Sequence, residues 1–122
     1  MTYNPKQRDI IIIDFDPAKG YEINKRRPAL VMSSHDYNRS TNLVIVCPIT
    51  STKKDRPFFI PITSDNLHGS NTSKVNTNQV FSLDYTRNAK RNIKYIDTLE
   101  EEKFYEIVQM FMHNFSFKIF EK

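Results

Sequence analysis

Residues 10–15 read IIIIDF, a run of four isoleucines followed by an aspartate and a phenylalanine. Isoleucine is β-branched, and its stiff side chain favours strands over helices. The turn-forming pair Asp16-Pro17 and then Gly20 follow the run. The pattern therefore predicts a β-strand over Ile10–Phe15. No apolar run in the chain is long enough to span a membrane.

Five further apolar runs follow at close spacing: Pro28–Ser33, Leu43–Ile49, Phe58–Ile62, Val80–Leu83 and Ile93–Ile96. The chain has only two glycines but eleven asparagines, so Asn, Asp, Ser and Pro must form most of the turns. We expect no helix between these runs, which argues against a parallel sheet. Short strands with turn-rich connections predict a mainly β fold, a small antiparallel barrel or sandwich.

The C-terminal part of the chain changes to a helical period. Thr98-Leu99-Glu100-Glu101 fits a capping box, with Thr98 as the N-cap. Apolar residues then recur at helical spacing, at Phe104, Ile107, Val108, Phe111 and Phe115. We expect this face to pack on the strands, and the alternative is a dimer contact.

The composition limits the possible classes of protein. At 122 residues and 39% hydrophobic, the chain fits one domain over residues 1–122, and its apolar content argues against wholesale disorder. The N-terminus has no signal-peptide pattern, which predicts a cytoplasmic protein. A single cysteine, Cys47, excludes an internal disulfide and a Cys-rich zinc site. Because Cys47 lies within an apolar run, we expect it to be buried.

The motifs for metal and covalent chemistry are weak. His35, His68 and His113 are scattered, without the spacing of metal ligands. There is no glycine-rich phosphate loop, and no local motif supports a Ser-His-Asp triad. We therefore expect neither a metal nor another cofactor.

A polar, cationic set of residues lies at the predicted strand ends. Lys25-Arg26-Arg27 precedes the second strand, Thr50-Ser51-Thr52 follows the third, and Glu22 lies nearby in sequence. One interpretation is a solvated charge run with a polar turn. The other is a phosphate site, since arginine is planar and bidentate and hydroxyls donate to the same oxygens. Such a site suits RNA, whose 2′-hydroxyl can attack its own phosphate.

Four ordered segments resemble the MazF/PemK toxin endoribonucleases. The first comprises DFDPAKG at 14–20, Glu22 and RPALV at 27–31; the second is VCPITS at 46–51. Pro57-Phe58 and NQVFSLD at 78–84 match later motifs of the family. The resemblance runs from about Asp9 to the C-terminal helix, and four segments at family spacing are specific.

The resemblance implies a small Src-homology-3-like antiparallel β-barrel of the CcdB/PemK/MazF type with a C-terminal helix. It implies a homodimer that cuts single-stranded RNA, mainly mRNA, at a short motif and leaves 2′,3′-cyclic phosphate and 5′-hydroxyl ends. It also implies a cognate antitoxin that blocks the toxin, and DNA binding by the complex of the two. By motif, Arg27 and Thr50 are the catalytic pair, and Glu22 occupies an acidic family position.

Two residues depart from the family pattern. Arg26 stands where some members have a histidine with an acid–base role, and Arg8 replaces a usual glycine. An arginine is a poor general base because it stays protonated. We therefore expect Arg27 to stabilise the phosphorane and Thr50, with Ser51, to hold a non-bridging oxygen. Glu22 is either the base, the group that orients Arg27, or a loop ion-pair partner.

Several further residues are candidates for RNA binding. The cations flank the expected site, and Tyr21 and Phe58 could stack on bases or simply pack. The Gln79 amide suits hydrogen bonding to the edge of a base, or it could hold a strand in place. Arg87, with Lys90 and Arg91, forms a second basic flank or receives an acidic antitoxin segment. The RNA-binding set is Lys19, Tyr21, Lys25, Arg26, Ser51, Lys53, Lys54, Arg56, Phe58, Gln79 and Arg87.

Two other classes compete with this interpretation. A CcdB-like toxin would act without catalysis, binding DNA gyrase through its C-terminal region. A structural RNA-binding barrel would need the basic face but not Thr50. The Arg27 and Thr50 motifs favour the nuclease over both.

Overall fold

A computed structural model describes residues 3–15, 26–67 and 73–115 of the chain. Its centre is a set of three antiparallel strands: β1 (Asp9–Asp14), β2 (Arg26–Val31) and β3 (Leu43–Thr50). In this ladder Ile10 lies opposite Leu30, and Leu30 lies opposite Cys47. The first three predicted strands are therefore confirmed, with ends that shift by one or two residues.

Both faces of these central strands are buried. Ile10 and Leu30 belong to one hydrophobic cluster, whereas Ile11 and Ala29 belong to a second. Successive side chains of a strand point to opposite faces. A strand that is covered on both sides therefore needs apolar residues at consecutive positions. This explains why β1 is a run of isoleucines instead of an alternating pattern.

Four shorter strands complete the described sheet: β4 (Phe59–Pro61), β5 (Lys74–Asn76), β6 (Phe81–Asp84) and β7 (Lys94–Thr98). The order is β4-β5-β3-β2-β1-β7, β6 also pairs with β3, and every pair is antiparallel. The first half of β3 pairs with β6, while its last two residues pair with β5. The predicted class, mainly antiparallel β with a C-terminal helix, is confirmed.

The expectation that no helix separates the strands is wrong. Helix α1 (His35–Thr41) connects β2 to β3. The Ser34 hydroxyl accepts a hydrogen bond from the Tyr37 N–H at 3.1 Å, and Asn42 ends the helix in the left-handed region at φ 61°. These caps, and not an apolar stripe, define α1. Strand β5 was not predicted either, because its three residues include only one apolar residue, Val75.

The predicted capping box at Thr98 is also wrong. Helix α2 (Glu101–Met112) has Glu100 as its N-cap, and that side chain makes no capping hydrogen bond. Thr98 instead pairs with Asp9 as the last residue of β7. Its hydroxyl interacts with the Asp9 carboxylate at 3.2 Å and with Tyr95 Oη at 2.7 Å. Thr98 therefore belongs to the sheet, although the local sequence pattern assigns it to the helix cap.

The apolar face of α2 packs on the sheet as predicted. Phe104 and Ile107 are buried in the first hydrophobic cluster, and Val108 and Phe111 pack against it. Phe115 lies beyond the end of the helix and is 44% exposed. In the part of the chain that the structure describes, no helix has the length and apolar character needed to cross a membrane.

Candidate functional site

The ladder between β2 and β3 ends two residues away from two predicted site residues, Arg27 and Thr50. Ala29 pairs with Pro48, and continuing that register by two residues sets Arg27 opposite Thr50. Directly opposed residues share a face of the sheet and lie close together. The end of β3 and the start of β2 thus bring together side chains that are 23 positions apart in sequence.

An open pocket of about 340 Å³ lies at this end of the sheet. Among the described residues, its lining includes one guanidinium and three hydroxyls but no carboxylate. Groups of this kind donate hydrogen bonds, so the pocket is suited to an anion. Three residues predicted from the sequence, Arg27, Thr50 and Ser51, therefore meet here. The lining residues are Arg27, Pro28, Ile49, Thr50, Ser51 and Ser73.

Ser73 is the lining residue that the sequence analysis missed. It precedes Lys74, which pairs with Thr50 in the ladder between β3 and β5. One further step of that register sets Ser73 opposite Ser51. A lone serine before a three-residue strand carries no local signal, so only the strand pairing identifies it.

Arg26 is held away from this pocket by a different partner. Its guanidinium forms an ion pair with the buried Asp14 carboxylate at 3.2 Å. Asn92 Nδ2 donates to the same carboxylate at 2.9 Å, and Arg91 Nη1 donates to the Asp14 carbonyl at 3.0 Å. This cluster connects the end of β1, the start of β2 and the segment before β7. The Arg26 side chain is still 40% exposed, so its RNA-binding role remains a prediction.

A loop of six residues, 51–56, leaves the pocket after β3. The predicted RNA-binding cations Lys53, Lys54 and Arg56 are all exposed on it. Lys74 Nζ donates to the Lys54 carbonyl at 2.7 Å and to Asp55 Oδ1 at 2.9 Å. The hydrogen bond and the charge of Lys74 hold the pKa of the Asp55 carboxyl below its usual value. Sequence reasoning missed Lys74, because a lysine in a short strand gives no sign of its partners.

Phe58 and Gln79 do not line the pocket. Phe58 is half-buried, and its ring packs edge-on against Phe59 with centroids 4.9 Å apart. The Phe58 carbonyl accepts hydrogen bonds from the N–H of Thr77 at 3.0 Å and from its hydroxyl at 2.8 Å. Gln79 is exposed after the turn that follows β5, and it interacts with Asn76 at 3.4 Å. Its amide therefore faces solvent outside any strand.

The late basic residues form a second pocket of about 260 Å³. Arg87, Lys90 and Arg91 all line it, so the predicted basic flank exists as a surface separate from the Arg27 pocket. Asp84 lies beside this segment, and hydrogen bonds from the hydroxyl and N–H of Thr86 lower the pKa of its carboxyl. The described residues that line it are Tyr3, Tyr85, Thr86, Arg87, Lys90, Arg91, Asn92 and Ile93.

Four predicted site residues, Lys19, Tyr21, Glu22 and Lys25, lie outside the described residues. Their roles stay predictions. Among the histidines, His35 Nδ1 lies 3.5 Å from the Pro5 carbonyl, and His113 follows α2. Over residues 3–15, 26–67 and 73–115, no three His, Cys, Asp or Glu side chains are grouped as they would be around a metal ion.

Cys47 is buried, as predicted from its apolar neighbours. Its side chain has no exposed surface in the middle of β3. Burial raises the pKa of the Cys47 thiol to about 12, because a thiolate would be poorly solvated there. This cysteine is therefore a small core residue and not a nucleophile.

Comparison with known proteins identifies several relatives. The model of a family described as PemK-like, MazF-like toxin of type II toxin-antitoxin system matches residues 6–115. The Endoribonuclease toxin MazF of Escherichia coli K12 is 37% identical over 67 residues, which is 55% of this chain. That match spans 60% of the length of the E. coli protein.

Solved structures agree with the family match. The crystal structure of a MazE-MazF complex from Deinococcus radiodurans aligns with a TM-score of 0.77 at 26% identity. A crystal structure of MazF from the same organism aligns with a TM-score of 0.74 at 28% identity. Each alignment covers 92% of this chain and 96% of the other.

Proposed function

Because this chain belongs to the family of PemK-like, MazF-like toxins of type II toxin–antitoxin systems, we propose that it is an endoribonuclease. Its substrate is single-stranded RNA, mainly mRNA, which it cuts at a short sequence motif. The observation that carries the proposal is the pocket in which the Arg27 guanidinium meets the hydroxyls of Thr50 and Ser51. The relative of E. coli and the D. radiodurans proteins support it.

The proposed reaction is an attack by the ribose 2′-hydroxyl on the adjacent phosphorus. The O2′–P bond forms, the P–O5′ bond breaks, and the 2′-hydroxyl proton passes to a base. The leaving 5′-oxygen takes up a proton, so the products carry 2′,3′-cyclic phosphate and 5′-hydroxyl ends. Because the nucleophile belongs to the substrate, the enzyme has only to position the phosphate and stabilise its charge. No metal is needed for either task.

The pocket residues divide this work by their chemistry. The Arg27 guanidinium stabilises the charge that develops on the phosphorane, with two donors that match two oxygens. The Thr50 hydroxyl, with Ser51 beside it, donates to a non-bridging oxygen. Glu22 acts as the base or orients Arg27. These roles follow from the resemblance and from the donor groups of the pocket.

The surfaces around the pocket fit the substrate and partners. The exposed cations of loop 51–56, together with Arg26 and Arg87, suit the RNA backbone, and Phe58 and Gln79 suit its bases. Lys19, Tyr21 and Lys25 complete the proposed RNA contact. The protein acts in the cytoplasm as a homodimer, its cognate antitoxin blocks it, and the complex of the two binds DNA.

The test is cleavage of a long RNA by the purified protein in excess EDTA. We expect cutting at a recurring short motif, and end mapping should find cyclic phosphate and 5′-hydroxyl termini. Loss of cutting on chelation, or products with 3′-hydroxyl ends, would exclude this chemistry. If no RNA is cut and the protein instead inhibits gyrase in a supercoiling assay, the CcdB-like alternative is correct.

A further inference from the structure

Lys74 is a lysine in a position where lysines are rare. It is only 8% exposed, and it pairs with Thr50 at the start of β5. A charged side chain is almost never this buried unless it has partners. Thr50 lines the Arg27 pocket, so Lys74 lies on the strand beside one of the two proposed catalytic residues.

Among the described residues, the hydrogen bonds of the Lys74 ammonium both reach one segment of the chain. Its ammonium donates to the Lys54 carbonyl at 2.7 Å and to Asp55 Oδ1 at 2.9 Å, across 20 and 19 residues of sequence. The burial of this ion pair is one-sided: the Lys74 side chain is 11% exposed, whereas that of Asp55 is 96% exposed. A buried ammonium thus holds a loop residue that would otherwise be free in solvent.

This attachment joins the loop that carries the cations, residues 51–56, to the sheet. The loop contains no helix or strand, and within it the Lys54 N–H donates to the Thr52 hydroxyl at 3.1 Å. It begins at Ser51, which lines the pocket, and it carries the exposed Lys53, Lys54 and Arg56. The Lys74 contacts fix its middle, at Lys54 and Asp55, to β5.

We propose that Lys74 is a positioning residue that holds loop 51–56 beside the pocket, so that the loop cations contact the RNA backbone. The inference rests on the proposed endoribonuclease function. Lys74 acts through the loop, not on the reacting phosphate. Its loss should therefore weaken RNA binding more than it slows the chemical step.

Substitution of Asp55 gives the sharpest test. The loss of its negative charge and the loss of its contact with Lys74 should change KM in opposite directions. Asp55→Ala removes a negative charge beside the RNA, so charge alone would lower KM. If the ion pair positions the loop, Asp55→Ala should raise KM about two- to threefold despite the lost repulsion. Asp55 is fully exposed, so this variant opens no cavity. An unchanged or lower KM overturns the proposal.

Lys74→Met keeps the apolar stem and removes the ammonium. We expect KM to rise about five- to tenfold and kcat to stay within about twofold. The slope of the logarithm of the RNA-binding constant against the logarithm of salt concentration should become shallower by about one phosphate contact. Lys74→Arg should recover part of the affinity, because its guanidinium still donates. The control is Lys103→Met on α2, which removes one charge from an exposed pair with Glu106. It should match the wild type.

A double-mutant cycle separates positioning from general destabilisation. In a Lys53→Met, Lys54→Met background, Lys74→Met should raise KM by less than about twofold, because two of the three loop cations it positions are absent. A fall in kcat at constant KM would indicate a purely structural lysine and overturn the proposal. If wild-type protein cuts RNA and Lys74→Met matches it, only this inference fails. If wild-type protein neither cuts nor binds RNA, the proposed function fails first.

Discussion

Arg26 and Arg27 are neighbours in sequence but face different surroundings. Arg26 pairs with Asp14 at the end of β1, whereas Arg27 lines the pocket with Thr50. The two-residue period of a strand sends adjacent side chains to opposite faces. Two arginines that look equivalent in sequence therefore have different contacts: Arg26 joins strand ends, and we propose that Arg27 binds the RNA phosphate.

The first prediction concerns Arg27. Arg27→Ala should lower the single-turnover rate of RNA cleavage about a hundredfold or more, as expected for loss of a preorganised donor. Arg27→Lys should recover only part of the rate, because an ammonium lacks the bidentate geometry. Thr50→Ala should also slow cleavage, and Thr50→Ser should do so less. Arg39→Ala, an exposed arginine on α1, serves as the control. If folded Arg27→Ala protein cuts at the wild-type rate, the site lies elsewhere.

Cys47 provides a second test at this scale. Its thiol is fully buried and has a pKa of about 12, so at pH 8 almost none of it is thiolate. The native protein should not react with a thiol reagent, and denatured protein should titrate as one thiol. Unfolding lowers the pKa of the Cys47 thiol and exposes its sulfur, and both changes speed its reaction with the reagent. Rapid labelling of native protein would mean that β3 opens readily.

At the scale of elements, helix α1 is held in place by a buried polar residue, Asn38. Asn38 is fully buried within it. The Asn38 amide donates to the Pro5 carbonyl at 3.0 Å, and its backbone carbonyl accepts from the Tyr85 hydroxyl at 3.0 Å. Its side-chain oxygen also accepts a hydrogen bond from Ser33. These bonds connect α1 to the N-terminal segment and to the end of β6, so the helix is stabilised by tertiary contacts.

Substitution of Asn38 should therefore destabilise the fold. Asn38→Ala leaves several buried polar groups without partners, and we expect the free energy of unfolding to fall by about 1–3 kcal/mol or more. Urea unfolding monitored by circular dichroism measures this loss. Arg39→Ala on the exposed face of the same helix should change stability by less than about 0.5 kcal/mol. Equal losses in the two variants would mean that helix propensity, not the buried network, stabilises α1.

At the scale of the whole molecule, antiparallel pairing gathers distant cations at one end of the sheet. The end of β3 lies beside the start of β2 and the start of β5, which brings Arg27, Lys74 and loop 51–56 together. A basic, open surface of this kind suits RNA phosphates and also an acidic, extended peptide. We therefore expect RNA and antitoxin to occupy the same surface, twice in a homodimer.

This expectation predicts competition between the two partners. Added antitoxin should displace a labelled RNA that carries a 2′-deoxy substitution at the cut position and so cannot be cleaved. Higher salt should weaken both complexes, because screening acts on the same cations. Fluorescence anisotropy of the labelled RNA reports the displacement. A ternary complex with unchanged RNA affinity would show that the antitoxin blocks cleavage from another surface.

The amino-acid sequence by itself determined the features that depend on local pattern. Runs of apolar residues identified six of the seven described strands, and the helical period of Phe104, Ile107 and Phe111 identified the packed face of α2. The ordered motifs around Arg27 and Thr50 identified the two residues that meet in the pocket. Each of these signals lies within a few neighbouring positions, so the chain pattern alone was sufficient.

Only the tertiary structure decided the features that depend on which strands pair. It added α1 and β5, moved Thr98 from the helix to β7, and placed Ser73 in the pocket lining with Ser51. It also separated Arg26 from Arg27 and connected Lys74 to the loop across 20 residues. The physical reason is that these assignments are set by backbone ladders and buried hydrogen bonds between distant segments. Such contacts override local propensity and leave no periodic signal in the sequence.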